Sequence, residues 1–198
     1  MKKLLSAFLL FSTFTFGQTK YVDSLTTERH KHSDELIDPE SKILMDSEID
    51  HFRGLDYFEI DQEYRIEAAF KKKKGKKFKM PTSTDRTPVY QRYGYVYFKI
   101  NNELCTLTVY QNVELKKKKG FEDYLFIPFR DETSGKETYG GGRYLDLRMT
   151  SSNKIILDFN TSYNPYCAYS YRFSCPIPPE ENKLKVRVEA GEKVPFGR

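Results

Sequence analysis

Polar residues able to fix geometry gather in two stretches of the 198-residue chain, Arg130–Arg143 and Asp158–Asn164, with Glu180–Asn182 following the second. Asp131, Asp158 and Glu180 are candidates for acid/base chemistry, since two carboxyls in different surroundings can give and take a proton in one cycle. Together with Asn160 they would also suit a hard divalent cation, which takes oxygen ligands. If Ile155–Asn160 is extended, Asp158 and Asn160 fall on the face opposite Ile155, Leu157 and Phe159. There they would line a pocket with Asp131, Tyr139, Arg143 and Tyr163. Arg143 follows Gly140-Gly141-Gly142, a run in which backbone amides can approach a ligand closely while the guanidinium grips a carboxylate or phosphate. Each feature has a plainer alternative. Asp and Asn before turns cap backbone groups, and Arg143 can pair with Asp131 or Asp146.

Other chemistries are absent from the pattern. The glycine run lacks the Lys-Ser/Thr pair of a phosphate loop. His30 and His32, two residues apart, do not share a helix face, and neither they nor His51 belongs to a zinc-protease motif. No serine nucleophile elbow occurs, and Cys167 has no histidine near it in sequence. Fifteen Tyr and fifteen Phe with no Trp fill a β core and leave tyrosines to spare for stacking on sugars. No cofactor is indicated beyond the divalent cation that the carboxylates would suit.

From Cys167 to Cys175, Tyr169, Tyr171 and Phe173 alternate with Ala168, Ser170, Arg172 and Ser174, the period of a strand. An extended run of this length would hold the two sulfurs about 26 Å apart, whereas a bridge needs Cα atoms within about 7 Å. The expectation is two buried thiols on one strand face. Cys105 falls on a core parity as well.

The N-terminus has the form of a secretory signal peptide over residues 1–17. Lys2 and Lys3 precede an apolar core, Leu4–Phe16, and Thr15-Phe16-Gly17 supplies small residues at −3 and −1 of a cut before Gln18. No cysteine follows that core, so a lipid anchor is not expected there. The expected mature protein is one soluble domain, residues 18–198, periplasmic or extracellular, with no further membrane span. The formal charge of +5 is local, carried by Lys71–Lys79 and Lys116–Lys119. Nearly pure lysine runs without interleaved arginines and aromatics read as solvated loop tips, so no nucleic-acid partner is expected.

A helical lead-in over residues 20–53 is expected, polar through Tyr21–Glu35 and restarting at Asp38-Pro39-Glu40. From Tyr57 onward the pattern is β: Tyr64–Phe70, Phe78–Pro81, Val89–Ile100 with a bend or bulge at Gly94, Tyr124–Phe129 with Pro128 suggesting an edge or bulge, Tyr144–Leu147, Ile155–Phe159 and Leu184–Ala190. Asn101-Asn102 marks a hairpin that pairs Ile100 with Glu103, Phe98 with Cys105 and Val96 with Leu107. Eight to ten short strands imply a mainly β fold, an antiparallel sandwich or partly closed barrel with a short helical N-terminal segment.

FRGLDYF (Phe52–Phe58), MPTSTD (Met80–Asp85), LFIPFRDETSGKETYGGGRYLD (Leu125–Asp146) and LDFNTSYNPYCAYSYRFSCPIPPEENKL (Leu157–Leu184) together resemble the bacterial and archaeal family called domain of unknown function 1684. The resemblance runs from about Thr27 to Glu192 and departs at Asp85, where the family pattern has glycine. It implies a compact domain and no particular reaction. The functional expectation is a non-catalytic cell-envelope module that binds a small polar or anionic ligand near Arg143, Asp131, Asn160, Tyr139 and Tyr163. An acid/base or metal-assisted hydrolase and a structural envelope protein are the alternatives.

Overall fold

Two asparagines in the left-handed region turn the chain at the centre of the fold. Asn101 and Asn102 have φ of 51° and 65°, the positive values that a two-residue hairpin loop requires. The computed structural model describes the backbone of residues 5–195 and the side chains of residues 18–195. In it, strands β3 (Val89–Ile100) and β4 (Glu103–Asn112) pair Ile100 with Glu103, Phe98 with Cys105 and Val96 with Leu107, the expected register. The expected bulge falls between Arg92 and Gly94. A Cβ on Gly94 would lie 2.5 Å from the Lys71 carbonyl oxygen, so a side chain there would push the neighbouring strand away.

The remaining strands are β1 (Arg65–Lys72), β2 (Lys77–Lys79), β5 (Tyr124–Phe129), β6 (Arg143–Arg148) and β7 (Lys154–Asp158). They form one seven-stranded antiparallel sheet in the order β6-β5-β4-β3-β1-β7, with β2 beside β3. The sheet curls into a half-barrel, the partly closed form of the expected fold class. Val96, Phe98, Leu107, Leu125, Ile127 and Leu157 form the heart of the core, with Cys105 among them. The first lysine run is half strand, since Lys71 and Lys72 end β1 while Lys77 and Lys79 lie in β2.

The chain divides into two compact units, Met1–Ile49 and Asp50–Arg198, and the sheet lies wholly in the second. In the first unit, helix α1 runs without interruption over Leu5–Ile37. Lys2 and Lys3 lie outside the described residues, as do the side chains of the apolar core that follows them. Among the described residues no helix is long and apolar enough to cross a membrane. The helix expected to restart at Asp38 does not form. Asp38 instead accepts from the Glu40 amide, Lys42 takes a positive φ of 53°, and helix returns only for Asp46–Ile49 (α2).

Three further expectations are corrected. Pro128 is not at an edge, because β5 lies between β4 and β6. The Asn182 carboxamide fills the gap left by the missing proline N–H. Its Oδ1 accepts from the Thr108 amide at 2.7 Å, and its Nδ2 donates to the carbonyls of Thr108 (2.9 Å) and Pro128 (2.8 Å). One buried side chain thus stands in for a rung of the ladder. Leu184–Ala190 is not a strand: its first half bonds the backbone of Arg130 and Glu132 through Leu184 and Val186, and the side chains of Asp131 and Arg143 take up the backbone of Val188 and Ala190. Cys167–Cys175 is not a strand either. A 3-10 turn at Tyr166–Ala168 and a hydrogen bond from the Phe173 amide to the Ser170 carbonyl fold it back on itself, and tertiary contacts override its alternation.

Candidate functional site

Strand β6 sends its odd residues to the core and its even ones to the other face of the sheet, and the two sides carry different chemistry. On the core side, Arg143 is fully buried. Its Nη2 donates to the Val188 carbonyl at 2.9 Å and lies 3.5 Å from Asp131 Oδ1, while Nη1 donates to the carbonyls of Ala190 and Glu192. Burial lowers the guanidinium pKa, against the pull of Asp131. Asp131, also buried, accepts from the Val188 amide at 2.7 Å and from the hydroxyls of Thr133 and Ser134. The pair clamps the C-terminal segment to the sheet. The preceding glycines serve this geometry. Gly142 has φ of 93°, and a Cβ there would lie 2.6 Å from the Phe129 carbonyl oxygen, so its freedom admits β5 rather than a ligand.

The other candidates lie elsewhere. Asp158 caps a 3-10 turn by accepting from the Asn160 amide, and its Oδ2 lies 3.6 Å from Arg65 Nε. Asn160, buried beyond the end of β7, mates with the backbone of Asp61 through Oδ1 (3.0 Å) and Nδ2 (2.7 Å). Glu180 is exposed, with Lys183 at 3.8 Å. Tyr163 and Tyr139 belong to the opposite face of β6.

That face is aromatic. Tyr144 and Asp146 lie opposite Pro128 and Phe126 of β5, and Phe126 lies opposite Tyr110 of β4. Met80, Tyr90, Tyr110, Phe126 and Tyr144 form a cluster, with Phe78, Tyr124, Tyr163 and Cys175 packed against it. The Phe126 and Tyr144 rings meet edge to face at 4.7 Å, and Tyr144 meets Tyr163 likewise at 5.8 Å. A mutual pair of backbone hydrogen bonds between Tyr144 and Tyr163 sets the latter in place.

Asp146 is the carboxylate of this face. Its Oδ1 accepts from the hydroxyls of Tyr124 (2.6 Å) and Tyr163 (2.9 Å). The residue as a whole is exposed, but its carboxyl sits among rings. That enclosure raises its pKa above the usual aspartate value, while the two phenols pull it back. Burial and the neighbouring carboxylate raise the pKa of both phenols in turn. A second phenol–carboxylate pair joins the Tyr110 hydroxyl to the exposed Glu181 at 2.7 Å. Among the described residues no group of three or more His, Cys, Asp or Glu side chains is placed to hold a metal ion.

The thiols complete the rim. Cys175 is held by the Thr82–Thr84 loop: its amide donates to Ser83 Oγ and its carbonyl accepts from the Ser83 amide. The Cys167 amide lies 3.3 Å from Cys175 Sγ, which corrects the expected wide separation, and both residues are half-buried rather than buried. Tyr139 hydrogen-bonds Cys167. Asp146 was within reach of the sequence, because strand parity on β6 places it beside Tyr144. The thiol pair was not, because only the folded loop brings the two together.

A curled antiparallel half-barrel, with one buried ion-pair clamp and one aromatic carboxylate face, is the class that these observations define. The model of the family described as protein of unknown function (DUF1684) matches residues 50–193, the β unit almost in full, and the chain belongs to that family. The chain is also similar to an uncharacterised protein of Haloarcula marismortui solved by solution NMR, with 31% identity, a TM-score of 0.68, and coverage of 92% of this chain and 98% of that one. No curated protein matches.

Proposed function

We propose that the protein is an exported, non-catalytic module of the cell envelope that binds a small polar, hydroxyl-bearing ligand on the aromatic face around Asp146. One observation carries the binding part: the carboxylate of a surface aspartate, enclosed among rings and held by two phenol hydroxyls rather than by an ion pair. The half-buried rings of Tyr124 and Tyr163, at the edge of the buried cluster, would take the apolar face of such a ligand, and the Asp146 carboxylate and the two phenols its hydroxyls. Asp131 and Arg143 would not serve an anionic ligand as well, because both are engaged with the protein's own backbone. The export part is supported by the basic start, apolar core and small-residue cut site of residues 1–17.

The test is a titration of the purified protein with neutral monosaccharides and polyols, followed by tyrosine fluorescence, which no tryptophan obscures. Saturable quenching that Asp146→Asn abolishes supports the reading, and its absence across the panel counts against it. The raised Asp146 carboxyl favours a second reading, an acid/base hydrolase with Asp146 as the proton donor. Turnover of a glycoside or ester panel, lost in Asp146→Asn, would select it. N-terminal sequencing of protein recovered from the envelope fraction tests export, with Gln18 the expected first residue.

A further inference from the structure

We propose that Cys167 and Cys175 form a reversible dithiol–disulfide pair, in which Cys167 exchanges with an external disulfide and Cys175 resolves the mixed intermediate. The loop that carries them is closed at several points. After Pro165, the amides of Ala168 (2.8 Å) and Ser170 (2.9 Å) donate to the carbonyls of Pro165 and Tyr166. The rings of Tyr166 and Phe173 meet at 5.2 Å across the loop. Ser83 holds the Cys175 backbone through both amide and carbonyl. With Cys175 Sγ 3.3 Å from the Cys167 amide nitrogen, adding one N–Cα bond places it within about 4.8 Å of the Cys167 Cα. That is the proximity a bridge needs, and it arises in a loop rather than on rigid strands.

The two sulfurs are not equivalent. Hydrogen bonds from the Cys175 thiol, Ser83 and Tyr139 pull Cys167 down to about 6, whereas donation to Cys167 and burial push Cys175 up. Donation from the Cys175 thiol favours the thiolate at Cys167, the attacking sulfur of this proposal, while the Cys167 amide donates in turn to Cys175 Sγ. Both are partly accessible, unlike Cys105 in the core.

The exchange balances with a small-molecule or protein disulfide as the oxidant. The Cys167 thiolate attacks one sulfur, the external S–S bond breaks, and one thiolate leaves and takes a proton from water. Cys175 then loses its proton and attacks Cys167 Sγ, which expels the second thiol. Two electrons pass to the external disulfide, and two thiols are released for one internal bridge. In an oxidising compartment the pair would rest closed. The inference is independent of the ligand reading.

The full chain, fully reduced, is equilibrated in mixtures of reduced and oxidised glutathione, acid-trapped and mapped by mass spectrometry. The expected result is a Cys167–Cys175 bridge that grows with the oxidised share and reopens in excess reduced glutathione, with Cys105 remaining a thiol. Failure to form the bridge, pairing through Cys105, or a bridge that excess reduced glutathione leaves closed would overturn the proposal. In Cys175→Ser, glutathione should stay trapped on Cys167, while Cys167→Ser should take it up at least about tenfold more slowly; the reverse order would overturn the assigned roles. Should either variant misfold, alkylation of the unmutated chain by iodoacetamide decides. Cys167 should react at least about tenfold faster than Cys175 at neutral pH, with a midpoint near 6. Equal rates, or a midpoint near 9, would contradict it.

Discussion

Arg143 and Asp146 stand three residues apart on one strand, on opposite faces of the sheet, and the contrast between their settings separates structure from function. Asp131 and Arg143 form a buried ion pair in which Arg143 Nη1 and Nη2 donate to carbonyls of residues 188–192, while the Asp131 oxygens accept from the Val188 amide and from the hydroxyls of Thr133 and Ser134. Apart from Arg143 Nε, a buried donor without a hydrogen-bond partner among the described residues, these groups are taken up by the protein itself. Asp146 is a surface residue whose carboxyl is enclosed among rings and hydrogen-bonded to two phenols, which can exchange one acceptor for another. Where a polar side chain replaces a missing ladder bond, as Arg143, Asp131 and Asn182 all do, its loss is a loss of fold. Where it sits at the edge of a buried aromatic cluster, bonded to two half-buried phenols, its loss should be a loss of binding.

The largest expected effect lies on the buried side. Arg143→Met should destabilise the protein by about 3–5 kcal/mol, because it leaves the Asp131 charge buried and unpaired. Combining it with Asp131→Leu should recover part of that loss, as urea denaturation would show. Asn182→Ala should cost about 2–4 kcal/mol, since the Thr108 amide and two carbonyls lose their partner in a buried place. A loss below about 1 kcal/mol for either single substitution would mean that water or a shifted strand replaces these bonds, and the contrast would weaken.

Asp146→Asn should change stability by about 1 kcal/mol or less, because the amide oxygen still accepts from the phenols. It should weaken ligand binding at least about tenfold. The alkaline limb of stability reports the same face. The phenols of Tyr124, Tyr144 and Tyr163 have folded-state pKa values raised above 10 by burial first of all. Below pH 10 both states hold these protons and the contribution is whole. As pH climbs further, the unfolded state releases them first and stability falls. Ultraviolet phenolate titration should show these tyrosines ionising only with unfolding. The smallest effect belongs to Glu180→Gln, which should leave stability within about 0.5 kcal/mol and binding unchanged.

Strand parity made much of the fold legible. The hairpin register, the Gly94 bulge, the core place of Cys105 and the half-barrel class all follow from alternation and turn chemistry, because these local rules agree with the packing. Alternation misled at 167–175, where contacts with the Thr82–Thr84 loop decide the path, and at 184–190, where short backbone contacts to Arg130 and Glu132 give way to the side chains of Asp131 and Arg143 at Val188 and Ala190. The candidate residues Asp131, Arg143, Asp158 and Asn160 were chosen for chemistry that the fold uses on its own backbone. The burial of Asp131, Arg143 and Asn160 depends on contacts distant in sequence. Asp146 carried a usable signal, alternation with Tyr144 on a recognised strand, whereas the proximity of Cys167 and Cys175 existed only in three dimensions.

Amide chemical-shift mapping in the presence of neutral monosaccharides and polyols would decide which face of β6 meets the ligand. The perturbed amides should cluster at Tyr124, Tyr144, Asp146 and Tyr163, and Asp146→Asn should abolish the shifts while the amides of residues 188–192 keep their positions. Shifts centred on Arg143, Asp131 and residues 188–192, with the aromatic face silent, would contradict the proposed site.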